Sequence, residues 1–207
     1  MTTIKSRLLA IALLAASAFG CATETETEAE PEEEIAESSD ALSGGVAGGS
    51  SCSPSLAAGA ISAKERALLD TIAWAEGTRG RGSDGYNVIV GYKYAQECSR
   101  HPNRLIRLSS TLSSTAAGRY QFLTRTWKSL ALPTFQPGNQ DRGGLKLVVR
   151  RGVKVPVDRA MTATELANAL SKLSYEWASL PPNRYGQGNR SPSQVRAEYC
   201  KNARCGT

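Results

Sequence analysis

The chain has 207 residues, with 25 Lys or Arg against 19 Asp or Glu and a formal charge of +6. Hydrophobic residues make up 41% and charged residues 21%, which suits a packed body and excludes a collagenous or wholly disordered chain. Five cysteines, one histidine (His101) and no CxxC spacing give little material for a metal site, so neither a metal nor an organic cofactor is implied.

Residues 1–21 read as a secretory signal. Lys5 and Arg7 precede an apolar run over 8–16, and small residues lead up to Cys21. The run is too short to cross a bilayer. Ala18-Phe19-Gly20-Cys21 resembles a bacterial lipobox, whose cysteine is acylated and becomes the new N-terminus. That makes a lipoprotein held to the outer membrane or in the periplasm, and cleavage after Ala18 makes a soluble secreted protein instead. With Cys21 set aside, Cys52, Cys98, Cys200 and Cys205 form an even set suited to two disulfides in an oxidising compartment. Three pairings are possible, and zinc ligation is the alternative use.

Residues 22–60 read as a disordered tether. Glu24, Glu26, Glu28, Glu30, Glu32, Glu33, Glu34, Glu37 and Asp40 alternate with small residues, and Gly44-Gly45 and Gly48-Gly49-Ser50-Ser51 follow. Such a segment buries too little apolar surface to offset its ordering entropy. It carries nine of the acidic residues and the signal two of the basic ones, so the remainder holds 23 basic and 10 acidic residues, a net +13. A cationic body favours polyanions: nucleic acid, an anionic membrane or bacterial cell wall. The export signal argues against nucleic acid.

Residues 61–207 are long enough for one domain. Ser62-Ala63-Lys64-Glu65 fits a capping box and opens a first helix that ends at Glu76. Residues 86–92, Tyr-Asn-Val-Ile-Val-Gly-Tyr, predict a strand, with Gly82, Asp84 and Gly85 supplying turn chemistry. A second helix is predicted over 118–130, with Tyr120, Leu123, Trp127 and Leu130 on one stripe. Residues 145–157 read either as a hairpin around Gly152 or as a helix ending there. Thr162 and Glu165 cap a third helix, along which Leu166, Leu170, Leu173 and Trp177 recur; Pro181-Pro182 blocks continuation. Ser191-Pro192-Ser193-Gln194 starts a last helix carrying Cys200. Helices with a small antiparallel sheet argue for an α+β class.

Glu76 is the residue with chemistry in it. Ile72, Leu69 and Leu68 precede it by four, seven and eight residues, on one helical face. A glutamate on the buried face at a helix C-terminus has its charge disfavoured by desolvation and by the partial negative charge of the helix end. Both raise its pKa, as a general acid requires.

Trp74-Ala75-Glu76-Gly77-Thr78, residues 85–91, His101-Pro102, Ser114-Thr115-Ala116-Ala117-Gly118-Arg119-Tyr120-Gln121, Asn139-Gln140-Asp141, Trp177-Ala178-Ser179-Leu180-Pro181 and Tyr185-Gly186-Gln187 occur in one register. Together they closely resemble the bacteriophage lambda endolysin family, lysozyme-like lytic transglycosylases acting on peptidoglycan. The resemblance spans residues 68–188. It implies a mainly helical, two-lobed lysozyme-like domain with a saccharide cleft, acting as a monomer on glycan strands. It matches Glu76 to the catalytic acid and implies cleavage of the β-1,4 bond between N-acetylmuramic acid and N-acetylglucosamine with 1,6-anhydromuramic ends. A hydrolase of the same bond and a non-catalytic glycan-binding lipoprotein are the alternatives. Asn87, Tyr120, Gln121, Gln140, Tyr185 and Gln187 are the candidate substrate contacts. Asn87 stands where the family pattern has an aspartate, which removes the most obvious second carboxylate; Asp84 and Asp141 are the candidates after the capped helix. Tyr120 and Trp177 also fit core positions, His101 reads as structural or at the cleft rim, and Arg119 as a peptide-carboxylate contact or an ion-pair partner.

Overall fold

A computed structural model describes residues 52–59, 61–182, 184 and 190–206. The signal, Cys21, the acidic run, Tyr185 and Gln187 lie outside the described residues.

Three helices begin where local chemistry predicts. Ser62 Oγ accepts the Glu65 N–H at 3.1 Å while Glu65 accepts the Ser62 N–H at 2.7 Å, opening α1 (Ala63–Ala75). The same reciprocal box at Thr162/Glu165 opens α4 (Ala163–Leu173), and one at Ser191/Gln194 opens α5 (Pro192–Ala203). Leu68, Leu69, Ile72 and Ala73 of α1 are buried, and α5, with Val195 and Tyr199 buried, packs along α1. Lys64 Nζ donates to the Ala203 carbonyl at 2.7 Å, and Arg79 pairs with Glu198 at 2.8 Å.

Between α1 and α4 the structure departs from local propensity. Of the strand predicted over 86–92, only Val88–Ile89 forms a strand, β1, paired with β2 (Lys93–Tyr94) and bridged at Ile89 to Ala117. Gly91 and Tyr92 both take positive φ, which bends the chain back at once. A second hairpin joins β3 (Ile106–Arg107) to β4 (Ser113–Ser114), so two small antiparallel sheets stand where one was expected. The helix predicted from residue 118 is shorter: α2 is Thr124–Ser129. Residues 118–121 form a turn closed by reciprocal bonds between Ala117 and Phe122 at 3.0 and 2.8 Å, with Gly118 and Gln121 at φ 79 and 46. Those dihedrals are incompatible with an α-helix.

The hairpin reading of 145–157 is also overturned, in favour of a helix ending before Gly152. That helix is α3 (Pro137–Arg150). Its Gly143 and Gly144 lower helix propensity but let it approach its neighbours. A Cβ at Gly144 would lie 2.8 Å from Leu69, and one at Gly143 3.0 Å from Trp127.

Disulfides join Cys52 to Cys98 and Cys200 to Cys205, leaving none of these four for zinc. The first reaches back past residue 60, where the tether was expected to end. Residues 52–59 are held further by the Ala58 N–H donating to Asp141 and the Ala58 carbonyl accepting from Arg66, so the packed body includes them. The 46-residue separation of Cys52 and Cys98 predicts a larger loss on removal than the five-residue separation of the second bridge. In the loop-entropy model Cys52→Ser costs on the order of 4 kcal/mol and Cys205→Ser about half that, to be checked by urea denaturation.

Candidate active site

Glu76 is the C-cap of α1, its N–H bonded to the Ile72 carbonyl at 2.9 Å. Gly77 turns the chain away at φ 72 and passes under Tyr92, whose hydroxyl would stand 3.2 Å from a Cβ there. Glu76 is left where two cavities meet. One of about 360 Å³ is lined by Glu76, Gly77, Tyr92, Ala178, Ser179 and Arg190. The other, about 230 Å³, is lined by Glu76, Val88, Val90, Gly91, Tyr92 and Gln121. Among the described residues Glu76 is the one acid lining either cavity.

Glu76 is half-buried, and desolvation raises the pKa of its carboxyl from the ordinary 4.5 to about 7. The Ser179 hydroxyl donates to Oε1 at 2.5 Å; hydrogen bonds from its side chain and backbone oppose that rise. Ser179 is carried by the loop after α4, which Trp177 fastens by donating its indole N–H to the Tyr120 carbonyl at 3.0 Å. Trp177 is therefore buried packing that positions the loop.

The turn 118–121 sorts its side chains. Gln121 lines the second cavity, its amide donating to the Gly118 carbonyl at 2.9 Å. Tyr120 and Gln140, expected as substrate contacts, are fully buried and lie in the core rather than along either cavity. The Tyr120 hydroxyl donates to Asp141 at 2.6 Å. Gln140 accepts the Arg119 N–H at 2.9 Å and donates to the carbonyls of Tyr86 and Phe135 at 2.9 and 2.7 Å. A Cβ on Gly118 would collide with Gln140 at 2.3 Å, so only glycine admits this bracket.

Asn87 is likewise absent from both cavity linings. Its Oδ1 accepts the Ser83 N–H at 2.9 Å and closes the preceding loop. Asp84 pairs with Arg119 at 2.5 Å and accepts the Gly80 N–H, and Asp141 is sealed in the core, so neither faces the cavities beside Glu76. Arg119 also pairs with Asp70 at 2.8 Å, which fits its ion-pair reading. His101 is buried edge-on to Phe135, with Nε2 2.8 Å from the Phe122 carbonyl. That partner accepts, so Nε2 carries the proton and Nδ1 accepts the Asn103 N–H; burial lowers the pKa and keeps the ring neutral.

Residues 66–205 match the family model described as Endolysin. The chain belongs to the endolysin family. The endolysin of Escherichia phage lambda is 38% identical over 147 residues, covering 67% of this chain and 90% of that protein. The endolysin of Escherichia phage P2 is 37% identical over 142 residues, covering 60% and 84%. The structure of bacteriophage lambda lysozyme complexed with a chitohexasaccharide matches with a TM-score of 0.62 at 36% identity, covering 69% of this chain and 95% of that one. A second structure of lysozyme from bacteriophage lambda matches with a TM-score of 0.59 at 34% identity. This endolysin-family chain has the lysozyme-like α+β fold and is a peptidoglycan-cleaving glycosidase.

Three residues of the endolysin cleft carried no role in the sequence. Ser179 belongs to a family run but has no chemistry of its own until the fold sets it against Glu76. Tyr92 closes a predicted strand, and only its positive φ turns it towards the cavities. Arg190 follows no motif. Because the Ser179 hydrogen bonds favour the ionised carboxylate, Ser179→Ala is expected to raise the Glu76 pKa further. The alkaline limb of the pH–rate profile then moves up; an unmoved or lowered limb would deny Ser179 this role.

Proposed function

We propose that this protein is a lytic transglycosylase that uses Glu76 as its single acid and base. The carboxylic acid donates its proton to the glycosidic oxygen, and the bond from C1 of N-acetylmuramic acid to N-acetylglucosamine breaks. The C6 hydroxyl of the same muramyl residue bonds to C1, and the Glu76 carboxylate removes the proton that hydroxyl sheds. The proton count closes on Glu76, water is not consumed, and a 1,6-anhydro end is left.

The observation that carries this reading is that Glu76 is, among the described residues, the one acid lining the two cavities. A hydrolase of this bond would ordinarily set a second carboxylate across the cleft, to activate water or attack C1. Asp70 and Asp84 both pair with Arg119, and Asp141 lies in the core, so these carboxylates are engaged elsewhere. The chitohexasaccharide bound by the lambda relative supports a glycan in this cleft, and Gln121, which lines the cavity beside Glu76, would meet it. Export by the signal, acylation of Cys21 and a monomeric state belong to the same proposal; labelling with a radioactive fatty acid, lost in Cys21→Ser, tests the anchor.

The deciding experiment is mass spectrometry of muropeptides released from purified peptidoglycan by the disulfide-bonded protein. Products about 18 Da lighter than reducing-end counterparts are expected, since intramolecular attack dispenses with the second carboxylate and its water. Reducing ends would establish the hydrolase.

A further inference from the structure

Arg190 lines the larger cavity with Glu76 and Ser179, immediately before the N-cap of α5. Its guanidinium lies over the Trp74 ring, 4.2 Å from the centroid. Stacking of this kind holds a guanidinium in place and leaves its N–H edges free to pair. Among the described residues no carboxylate pairs with it, whereas Arg66, Arg79 and Arg119 each hold an acid. A free cation in the cavity of a carboxyl that must stay protonated favours the wrong charge state, so tuning Glu76 is a poor reason for it. Pairing with an anion that arrives with the substrate is a better one.

We propose that Arg190 is a specificity-determining residue that binds a carboxylate carried by the muramyl residue of the glycan. The assignment rests on the peptidoglycan reading above and adds a preference for charged over neutral strands. Two groups supply the same chemistry: an α-carboxylate of the stem peptide, and the lactyl carboxylate that is bared when the peptide is absent. Both present two oxygens to the planar guanidinium fork.

The test compares the full chain with Arg190→Ala, Arg190→Lys and, as a control for bulk charge, Arg125→Ala, which removes an exposed cation of α2 outside the cavity lining. Each is measured on peptide-bearing strands, on strands stripped of peptide by an amidase, and on neutral chitohexasaccharide. Affinities are read in the Glu76→Gln background and kcat/KM in the active protein. Arg190→Ala is expected to lose about tenfold more affinity for at least one charged strand than for chitohexasaccharide, with the kinetic loss in KM. Arg190→Lys recovers part of it, keeping charge without the fork. A loss confined to peptide-bearing strands identifies the stem carboxylate, and one confined to stripped strands the lactyl group. Equal losses on all three ligands, none at all, or the same loss in Arg125→Ala would overturn the inference. Strands that bind with this preference but are never cut would remove the proposed reaction and leave Arg190 standing.

Discussion

Glu76→Gln is expected to lower turnover on peptidoglycan by at least about 10²–10⁴-fold, the worth of a positioned general acid. Glutamine keeps the shape and can still accept from Ser179, so glycan affinity and the fold should persist. The same variant has a second signature. Burial raises the Glu76 pKa from 4.5 to about 7, so the folded protein holds a proton that the unfolded chain gives up. Stability from this group is full below pH 4.5 and falls as pH rises through 7, by on the order of 2–3 kcal/mol. The amide is neutral throughout and escapes that loss. Denaturation midpoints of the two proteins should therefore converge near pH 4 and separate by pH 8, with Glu76→Gln the more stable. Parallel curves would mean that the carboxyl ionises without penalty, and wild-type turnover in the variant would remove Glu76 from the reaction.

Asp141→Ala should produce the largest loss of stability. Asp141 has no exposed surface and accepts from the Ala58 N–H at 2.9 Å, Arg66 at 2.8 Å, the Tyr86 hydroxyl at 2.9 Å and the Tyr120 hydroxyl at 2.6 Å. Truncation strands a half-buried guanidinium and two phenols without their acceptor. Breaking such a pair from one side costs about 3–5 kcal/mol, and the unpaired hydroxyls add to it. Urea denaturation at neutral pH measures the effect, and Asp141→Asn, which retains an acceptor oxygen, should lose less. A cost below about 1 kcal/mol would show that water replaces the carboxylate, contrary to the sealed position.

What the sequence reveals depends on how far the controlling interaction reaches. The capping boxes at Ser62, Thr162 and Ser191 act over three residues, and those helices begin as predicted. Placing Glu76 at the end of α1 needed only periodicity and Gly77. The turn at 118–121 was hidden because the apolar stripe runs on into α2 without a break, and its closing bonds arise only once Ala117 meets Phe122. α3 lacks a side-chain cap at Gln136, and its two glycines weaken the local helix signal, a loss offset only when Leu69 and Trp127 are brought against them. Tyr120 and Gln140 belong to motifs shared with a family that cleaves glycans, yet motif membership does not separate touching the ligand from holding the residue that does. That distinction is burial, which is set by partners as far away as Asp141 and Tyr86.

The sorting of side chains along the turn has a practical consequence for altering this protein. Arg119 faces the ion pairs under the cleft, Tyr120 the core and Gln121 the cavity, within three consecutive residues. A library randomised at Gln121 would vary the cavity wall, and with it the proposed glycan contact, at little cost in folded yield, provided each replacement tolerates a left-handed backbone. Extending it by one position to Tyr120 would fill it with misfolded clones. Diversity here has to be introduced residue by residue, and Asn is the substitution to try first at 121, because it is at ease at positive φ and keeps the amide.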